Sequence, residues 1–434
     1  MSLTMIGLLG IAVLMVVLFL TATPVAFAMA VVGFLGFCCV VSFDAAVNMV
    51  GSVLWATFSK YDLTVIPLFI LMGQIVFYSG INEKLYHAAY NWVGHIRGGI
   101  AMATVIACSA FAAICGSNTA TAATMSTVAL PQMKKYGYNP KLSTGSVAAG
   151  STLGVVIPPS VVLILIGLST EQSIVKLFYG GFGAGIVLTL MLVATVYIIC
   201  SIKPQWGPVG EKVDFKTKVK SLSGAGEMVL LFLLVIIGLY AGFFTPAEAA
   251  AAGAFIALII ALVRKQMPIK QFIKALKDTL RASCMVMMIV AGAMIFGKFL
   301  AVTRLPYNIA DWVATLAVSK TVVLLIIFAI YIIGGMIMDA LALLIITIPI
   351  FFPIATGLGY DPLWFGVTIT VITTLGAISP PVGAVTFVVA SVAKDVKMKD
   401  VFKGVSIFIP AYILCVLLLM AFPKIATLLP SLLK

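Results

Sequence analysis

The stretch TLGVVIPPS, residues 152–160, decides how the chain can fold. It lies within residues 145–168, which carry no charge and have the length and polarity of a membrane-spanning helix. Pro158 and Pro159 interrupt that helix, because each proline removes a backbone donor and clashes with the preceding turn. The pattern returns as TLGAISPPV at residues 374–382. The sequence therefore predicts two membrane helices that are broken in the same way.

Composition gives the broad class of protein. Of the 434 residues, 62% are hydrophobic and 9% are charged, which indicates a membrane protein with several spanning helices. The first residues, MSLTMIGLLG, carry no Lys or Arg before the apolar run. We therefore interpret residues 4–22 as a retained first helix rather than a signal peptide. The sequence predicts an all-α polytopic membrane protein surrounded by membrane lipid.

The formal net charge of +13 suggests nucleic-acid binding at first sight. Most Lys and Arg residues, however, lie in short loops between apolar segments, as the positive-inside rule expects of cytoplasmic loops. We therefore attribute the charge to membrane topology and expect no nucleic-acid partner.

The two proline pairs belong to an internal repeat with one offset of 222 residues and no gap. We predict a first repeat at 1–210, a cytoplasmic linker at 211–225 and a second repeat at 226–434. Internal repeats of this kind are typical of secondary transporters. The other matching landmarks are Thr23-Pro24 with Thr245-Pro246, Pro131 with Pro353, and Gly137-Tyr138 with Gly359-Tyr360.

Loop charges predict how the two repeats are oriented. KKYGYNPK, residues 134–141, carries three lysines, whereas its counterpart TGLGYDPL, residues 356–363, carries only Asp361. The positive-inside rule places the first loop in the cytoplasm and the second on the opposite side. The repeat is therefore predicted to be inverted across the membrane. By the same rule, three further segments are cytoplasmic: 203–222, 264–281 and 394–403.

One long uncharged segment in each half does not fit a simple crossing. Residues 98–133 lie between Arg97 and Lys134, which must be on the same side. A straight helix of that length would measure about 54 Å, against about 30 Å of hydrocarbon. We predict a re-entrant hairpin with its tip at residues 116–118, and a second hairpin at the matching segment 321–358.

The whole chain is then predicted to contain ten crossings and two hairpins, with both ends facing away from the cytoplasm. Three amphipathic segments, 44–60, 80–97 and 265–281, are expected to lie along the membrane surface. The crossings are 4–22, 24–42, 61–79, the broken helix 145–168, 177–201, 226–243, 246–263, 282–301, the broken helix 364–392, and 405–429.

The broken helices suggest ion sites. Proline pairs free backbone carbonyls, which coordinate small cations, while half-helix N-termini attract anions. We expect each break to face the hairpin tip of its own half and to bind a hard cation such as Na⁺ through oxygen atoms, with two or more ions in total. The alternative is a pair of proline kinks that only curve packed helices. The predicted ligands are Ser117, Asn118, Thr152, Gly154 and Pro158 at the first site, and Gly335, Asp339, Thr374, Gly376 and Ser379 at the second.

Asp339 is an ionisable group near the middle of an apolar run. Such a residue costs at least roughly 2.5–3.5 kcal/mol on insertion scales and is a functional candidate by default. The alternative is a structural pair with a buried Lys or Arg. Arg304 is expected to meet an anionic substrate, and the full set of predicted substrate residues is Ser117, Thr121, Ser160, Arg304 and Asp339.

Enzyme motifs are not supported. GAMIFGKF, residues 292–299, nearly matches a phosphate-binding loop, but Phe299 replaces the required Ser or Thr and the context is an apolar helix. The motifs HExxH and GxSxG do not occur in the sequence. We therefore predict no enzyme activity; the alternative from a different class is an intramembrane enzyme or a channel.

Several motifs together resemble one family. GSNTATAATM (116–125), TLGVVIPPS, GFFTPAEAAA (242–251), GGMIMDALALL (334–344) and TLGAISPPVG (374–383) occur in this order over nearly the whole chain. They resemble the DctM-like large membrane subunit of tripartite ATP-independent periplasmic (TRAP) transporters, and most of all the sialic acid systems.

The resemblance implies an elevator-type Na⁺ symporter of the bacterial inner membrane that imports an organic acid, such as a sialic acid or another carboxylate. It also implies two protein partners, a small four-helix membrane subunit and a periplasmic substrate-binding protein. The alternative is a stand-alone Na⁺/carboxylate symporter of the same broad architecture.

Overall fold

The computed structural model describes residues 2–21, 23–210, 212–315 and 318–432. Regular structure in these ranges is entirely helical, as expected of apolar segments that must satisfy their own backbone hydrogen bonds in lipid. Short 3₁₀ turns lie at Tyr61–Thr64, Thr152–Val155 and Pro204–Trp206. The α-helices are α1 (Leu3–Thr21), α2 (Val25–Val40), α3 (Phe43–Phe58), α4 (Val65–Tyr78), α5 (Ile81–Val93), α6 (Gly99–Cys115), α7 (Asn118–Lys135), α8 (Pro140–Ser151), α9 (Val161–Thr170), α10 (Ile174–Ile202), α11 (Phe215–Tyr240), α12 (Pro246–Val263), α13 (Ile269–Val302), α14 (Leu305–Thr315), α15 (Lys320–Ile337), α16 (Ala340–Gly357), α17 (Pro362–Ile378), α18 (Ala384–Val392), α19 (Met398–Ser406), α20 (Ile409–Ala421) and α21 (Lys424–Ser431).

Eight helical segments of the described chain are long and apolar enough to cross a membrane, and a ninth results if the bent α11 counts as one span. The protein is therefore a polytopic α-helical membrane protein, as predicted. The two arms of the second hairpin, α15 and α16, are among the eight. Four predicted crossings are not among the eight: α2 has only 16 residues, the spans at 145–168 and 364–392 are split, and 226–243 belongs to the bent α11.

The 222-residue offset recurs in the helix boundaries. Helix α7 begins at Asn118 and ends at Lys135, and α16 begins and ends at the matching positions, Ala340 and Gly357. Helices α8 and α17 both start at the proline of the repeated loop. The predicted hairpin tip is confirmed as a helix break, since α6 ends at Cys115 and α7 starts three residues later.

One predicted division is wrong. The amphipathic segment 265–281 and the span 282–301 form a single helix, α13, of 34 residues. The first repeat does break here, into α3 and α4. Pro67 lies in the first turn of α4, where a proline is tolerated, and would disrupt the interior of a continuous helix, whereas the matching residue of α13 is Ile289.

Close helix contacts hold α2 against α13. A Cβ atom on Gly292 would lie 2.2 Å from the Ala26 carbonyl oxygen, and one on Gly33 would lie 2.7 Å from the Phe296 Cα. Small residues allow backbones to approach in this way inside membranes, where van der Waals packing drives association. Helices α2, α4, α12 and α13 thus form one packed group.

The hairpins pack against the broken helices. Helices α6 and α7 contact α8, and α15 and α16 contact α17. The halves also cross over, since α7 contacts α18 and α16 contacts α9. Both hairpins and both breaks therefore meet in one region of the molecule.

Three of the segments predicted to be cytoplasmic, 134–141, 203–222 and 394–403, lie together. The Gly98 amide donates to Gly207 O and the Asn139 amide donates to Trp206 O, each at 3.0 Å. Lys134 pairs with Asp395, whose pKa is held below its usual value by the hydrogen bond from that lysine. The assignment of this end to the cytoplasm stays a prediction.

Candidate functional site

A cavity of about 530 Å³ joins the two hairpin tips. Ser117 and Asn118 of the first tip line it together with Asp339 of the second. Helices α4 and α13 form the opposite wall, and α9 contributes its first residues. The structure thus brings Ser117 and Asn118 of the first predicted site and Asp339 of the second to one cavity, which the sequence did not predict.

The first tip is held by backbone geometry. Gly116 has φ +64°, and a Cβ atom there would lie 2.8 Å from the Pro159 carbonyl oxygen. Ser117 caps α7, since its hydroxyl accepts from the Ala120 amide at 3.4 Å. A Cβ on Gly154 would meet Ser117 O at 2.7 Å. The predicted contact between this tip and the first break is confirmed.

Asn118 has an unused donor at this tip. The side chain is 4% exposed, and its Oδ1 accepts from the Thr119 amide at 2.7 Å. That bond fixes which end of the amide is oxygen. Among the described residues Nδ2 has no hydrogen-bond partner. A buried unsatisfied donor costs about 1–3 kcal/mol, so this nitrogen is suited to an oxygen of a bound ligand rather than to a cation.

Asp339 occupies the position that matches Ser117, at the N-cap of α16. Its carboxylate is half-buried and accepts from the Leu341 amide at 3.0 Å. No ion pair between described residues includes Asp339. The structural Lys or Arg partner considered from the sequence is therefore not seen in that part of the chain.

The second break contacts the first arm of the second hairpin. A Cβ atom on Gly376 would lie 2.7 Å from the Gly335 Cα, and the Gly383 amide donates to Met336 O at 3.0 Å. The predicted contact between Gly335 and the Gly376 region is confirmed. Both breaks contain a cis bond between their prolines, Pro158-Pro159 and Pro380-Pro381.

The other predicted hydroxyl residues, which are the ion ligands Thr152, Thr374 and Ser379 and the substrate residues Thr121 and Ser160, do not line the cavity. Each hydroxyl donates to a nearby backbone carbonyl, and that of Ser160 also accepts from the Leu163 amide at 3.3 Å. Hydroxyl and carbonyl oxygens thus lie close together at both breaks. Such oxygen-rich sites suit hard cations. The bonds are Thr152 to Ala149 O (2.8 Å), Thr121 to Ser117 O (2.7 Å), Ser160 to Val155 O (2.6 Å), Thr374 to Val371 O (2.6 Å) and Ser379 to Leu375 O (2.7 Å).

Some residues of this region were missed by sequence reasoning. The Tyr412 hydroxyl lies 2.5 Å from that of Thr152 and donates to Ala149 O. It comes from the apolar helix α20, and nothing in the sequence signals the contact. Gln74 of α4 lines the cavity, and its polarity within an apolar span was a usable signal.

Arg304, by contrast, is not brought to the site. It is exposed just beyond the end of α13, with φ +55°, and is not among the residues that line the cavity.

Fold and site together define a polytopic membrane protein of the transporter class, in which broken helices surround a cavity. The family model of the tripartite ATP-independent periplasmic transporter, DctM component, matches residues 12–425. The chain therefore belongs to the DctM family of TRAP transporters and is a transporter subunit rather than an enzyme.

Curated relatives support this placement. The C4-dicarboxylate TRAP transporter large permease of Pseudomonas aeruginosa is 37% identical over 78% of this chain and 79% of its own length. The corresponding protein of Vibrio cholerae is 32% identical over 90% of both chains. The sialic acid large permease of Vibrio cholerae is 30% identical over 89% of this chain and 89% of its own length. These identities do not favour a sialic acid system over a dicarboxylate system.

The fold is also similar to a solved structure. The Alcanivorax borkumensis YdaH transporter has a TM-score of 0.64 at 14% identity, with 88% of this chain and 90% of that chain covered. At this identity the likeness concerns the fold alone.

Proposed function

We propose that this chain is the large membrane subunit of a Na⁺-coupled importer of an organic acid in the bacterial inner membrane. The observation that carries the proposal is the cavity that both hairpin tips share, between the broken helices and the α4 and α13 wall.

The chemistry of the cavity supports coupling between an anion and a cation. The free Nδ2 of Asn118 suits an anionic oxygen, whereas Asp339 would repel it. Two unit charges 4 Å apart interact by about 4 kcal/mol at an effective dielectric constant of about 20. A cation between Asp339 and the substrate removes that repulsion, so substrate binding would depend on Na⁺. Two or more ions per substrate would make transport of a monovalent acid electrogenic.

Relatives suggest the substrate class. Their names specify C4-dicarboxylates, sialic acid and isethionate, all of which are organic anions. We propose an organic acid of this kind, with a sialic acid as one candidate.

Pro158 and the hydroxyl ligands at the breaks would complete the ion sites.

The packing supports an elevator motion as the transport step. The hairpins and broken helices α6–α9 and α15–α18 would form the moving body, and α2, α4, α12 and α13 would form the fixed one. A small four-helix membrane subunit and a periplasmic binding protein would complete the system.

The test is uptake of labelled C4-dicarboxylate, sialic acid and isethionate into proteoliposomes under an inward Na⁺ gradient. The chain alone should give little uptake, and adding the small subunit with a loaded binding protein should restore it. Robust Na⁺-driven uptake by the chain alone would favour the stand-alone symporter, and uptake without Na⁺ would refute the coupling.

A further inference from the structure

A second cavity, separate from the candidate site, forms a groove of about 380 Å³ between α3, α9 and α13. It shares no lining residue with the cavity at the hairpin tips. It is lined by Ser52, Val53, Ala56, Thr57, Lys60, Leu63, Leu165, Leu168, Ser169, Val290, Met294 and Lys298. We call it the lysine groove.

The charge of the lysine groove is positive and uncompensated. Lys60 and Lys298 both line it, and no Asp or Glu does. No ion pair between described residues includes either lysine. Two lysines without an ion-pair partner on one groove concentrate positive charge there, which attracts an anionic group.

The rest of the groove is apolar. Val53 and Leu63 form one side, Leu165 of α9 another, and Val290 and Met294 of α13 a third. A small hydrophilic anion would leave these side chains without a partner. A ligand with an anionic head and a hydrocarbon chain matches both parts of the surface.

Neighbouring aromatic residues give the depth of the groove. Trp55 is 78% exposed and Tyr61 is 67% exposed, and they flank Lys60 in the sequence. Exposed Trp and Tyr concentrate at the level of lipid headgroups. Lys298 lies four residues before the end of α13, close to the same level. The two lysines are therefore placed where lipid phosphates lie.

From these observations we propose that the lysine groove binds an anionic phospholipid, with the phosphate held by Lys60 and Lys298 and part of an acyl chain against the apolar walls. The internal repeat shows that this feature is specific to one copy. The positions that match the two lysines are Ala282 and Val76, so the same groove cannot form in the other half.

The first test measures lipid retention by the full chain. Wild type and a Lys60→Gln/Lys298→Gln variant are purified from mixed phosphatidylglycerol and phosphatidylcholine nanodiscs, and bound lipid is counted by native mass spectrometry. A lysine at an anionic lipid surface contributes about a fivefold factor, so the variant should lose phosphatidylglycerol by roughly 30-fold. A Lys176→Gln/Lys424→Gln variant removes the same charge outside the groove and should behave as wild type.

A second variant separates a lipid from a soluble anion. Val290→Phe fills part of the apolar wall and keeps both lysines, so it should release phosphatidylglycerol while the protein stays monodisperse. Equal retention of phosphatidylglycerol by wild type and the groove variants, or equal retention of both lipids by wild type, would overturn the proposal. So would binding of soluble succinate that needs the two lysines and is unaffected by Val290→Phe, because the ligand would then be an organic acid.

Discussion

At the scale of single residues, the two hairpin tips differ in one decisive way. Ser117 and Asp339 occupy matching positions, and each caps the helix that follows. One offers a neutral hydroxyl and the other a carboxylate. The shared cavity therefore has its negative charge on the side of the second tip, which is where a cation would be bound most strongly.

The first prediction is that Asp339→Asn keeps the protein folded but raises the Na⁺ concentration for half-maximal uptake. Asn is as good an N-cap as Asp, so α16 should still start at the same residue. Only the charge that offsets the dehydration of a cation is lost. Ser117→Ala should give a milder loss, since water can replace one hydroxyl. Uptake into proteoliposomes is measured against Na⁺ at fixed potential and saturating substrate. An unchanged Na⁺ dependence in Asp339→Asn would show that the residue only caps its helix.

The second prediction concerns the free amide of Asn118. Asn118→Ala should raise the KM for the organic acid by roughly tenfold or more, because a hydrogen bond to a charged group contributes about 1.5–3 kcal/mol. The Na⁺ dependence should change less, since Oδ1 is already engaged by the Thr119 amide. KM for substrate and for Na⁺ are measured in the same vesicles. If the KM for Na⁺ rises more than the KM for the organic acid, Asn118 is the ion ligand that the sequence predicted.

At the scale of helices, the sequence was informative wherever a breaker residue stood at the break. The proline pairs and Gly116 predicted three interruptions that the structure contains. Helix α12 starts with a capping box, in which Thr245 and Glu248 cap each other, and TPAE is the usual sequence pattern of such a start. The continuous α13 was not foreseen, because amphipathicity alone does not show whether a surface segment joins the next span.

Contacts between side chains far apart in the chain could not be predicted from the sequence. Tyr412 meets Thr152 across 260 residues of chain, and the meeting of both hairpin tips at one cavity depends on how the two halves dock. Neither leaves a pattern in the local sequence, because apolar helix faces in membranes look alike whichever neighbour they contact.

The third prediction tests the close contact of the second break. Gly376→Ala places a Cβ atom 2.7 Å from the Gly335 Cα, so the helices must move apart. Overpacking of this kind typically costs about 1–3 kcal/mol. Gly357→Ala is the matched control, since nothing lies within 4 Å of its Cβ and alanine favours helix. Thermal unfolding in detergent and uptake are measured for both variants. Equal unfolding temperatures and uptake rates of the two variants would mean that the break tolerates separation from the hairpin.

At the scale of the whole molecule, the charged loops gather at one end. Lys134 pairs with Asp395 and Lys141 with Asp400, so the loops at 134–141 and 394–403 are adjacent. The Asn308 side chain instead donates to Thr4 Oγ1 at 2.7 Å, which joins the start of the chain to α14. The first grouping agrees with the assignment of both loops to the cytoplasmic side from their charge.

The last prediction is the inverted orientation of the two halves. Single cysteines replace Lys134 and Asp361 in a chain whose seven native cysteines have been changed to alanine. The two positions lie in matching loops of opposite charge, so an impermeant thiol reagent should label position 134 from the cytoplasmic face and position 361 from the other. A cysteine at Lys394 is the control, because this residue adjoins the partner of Lys134 and must label from the same face as position 134. If the cysteines at positions 134, 394 and 361 are all labelled from one face, the halves are parallel and the predicted inverted repeat is wrong. If 134 and 361 label from opposite sides, the two breaks enter the membrane from opposite faces, which is the geometry that lets one cavity be reached from either side in turn.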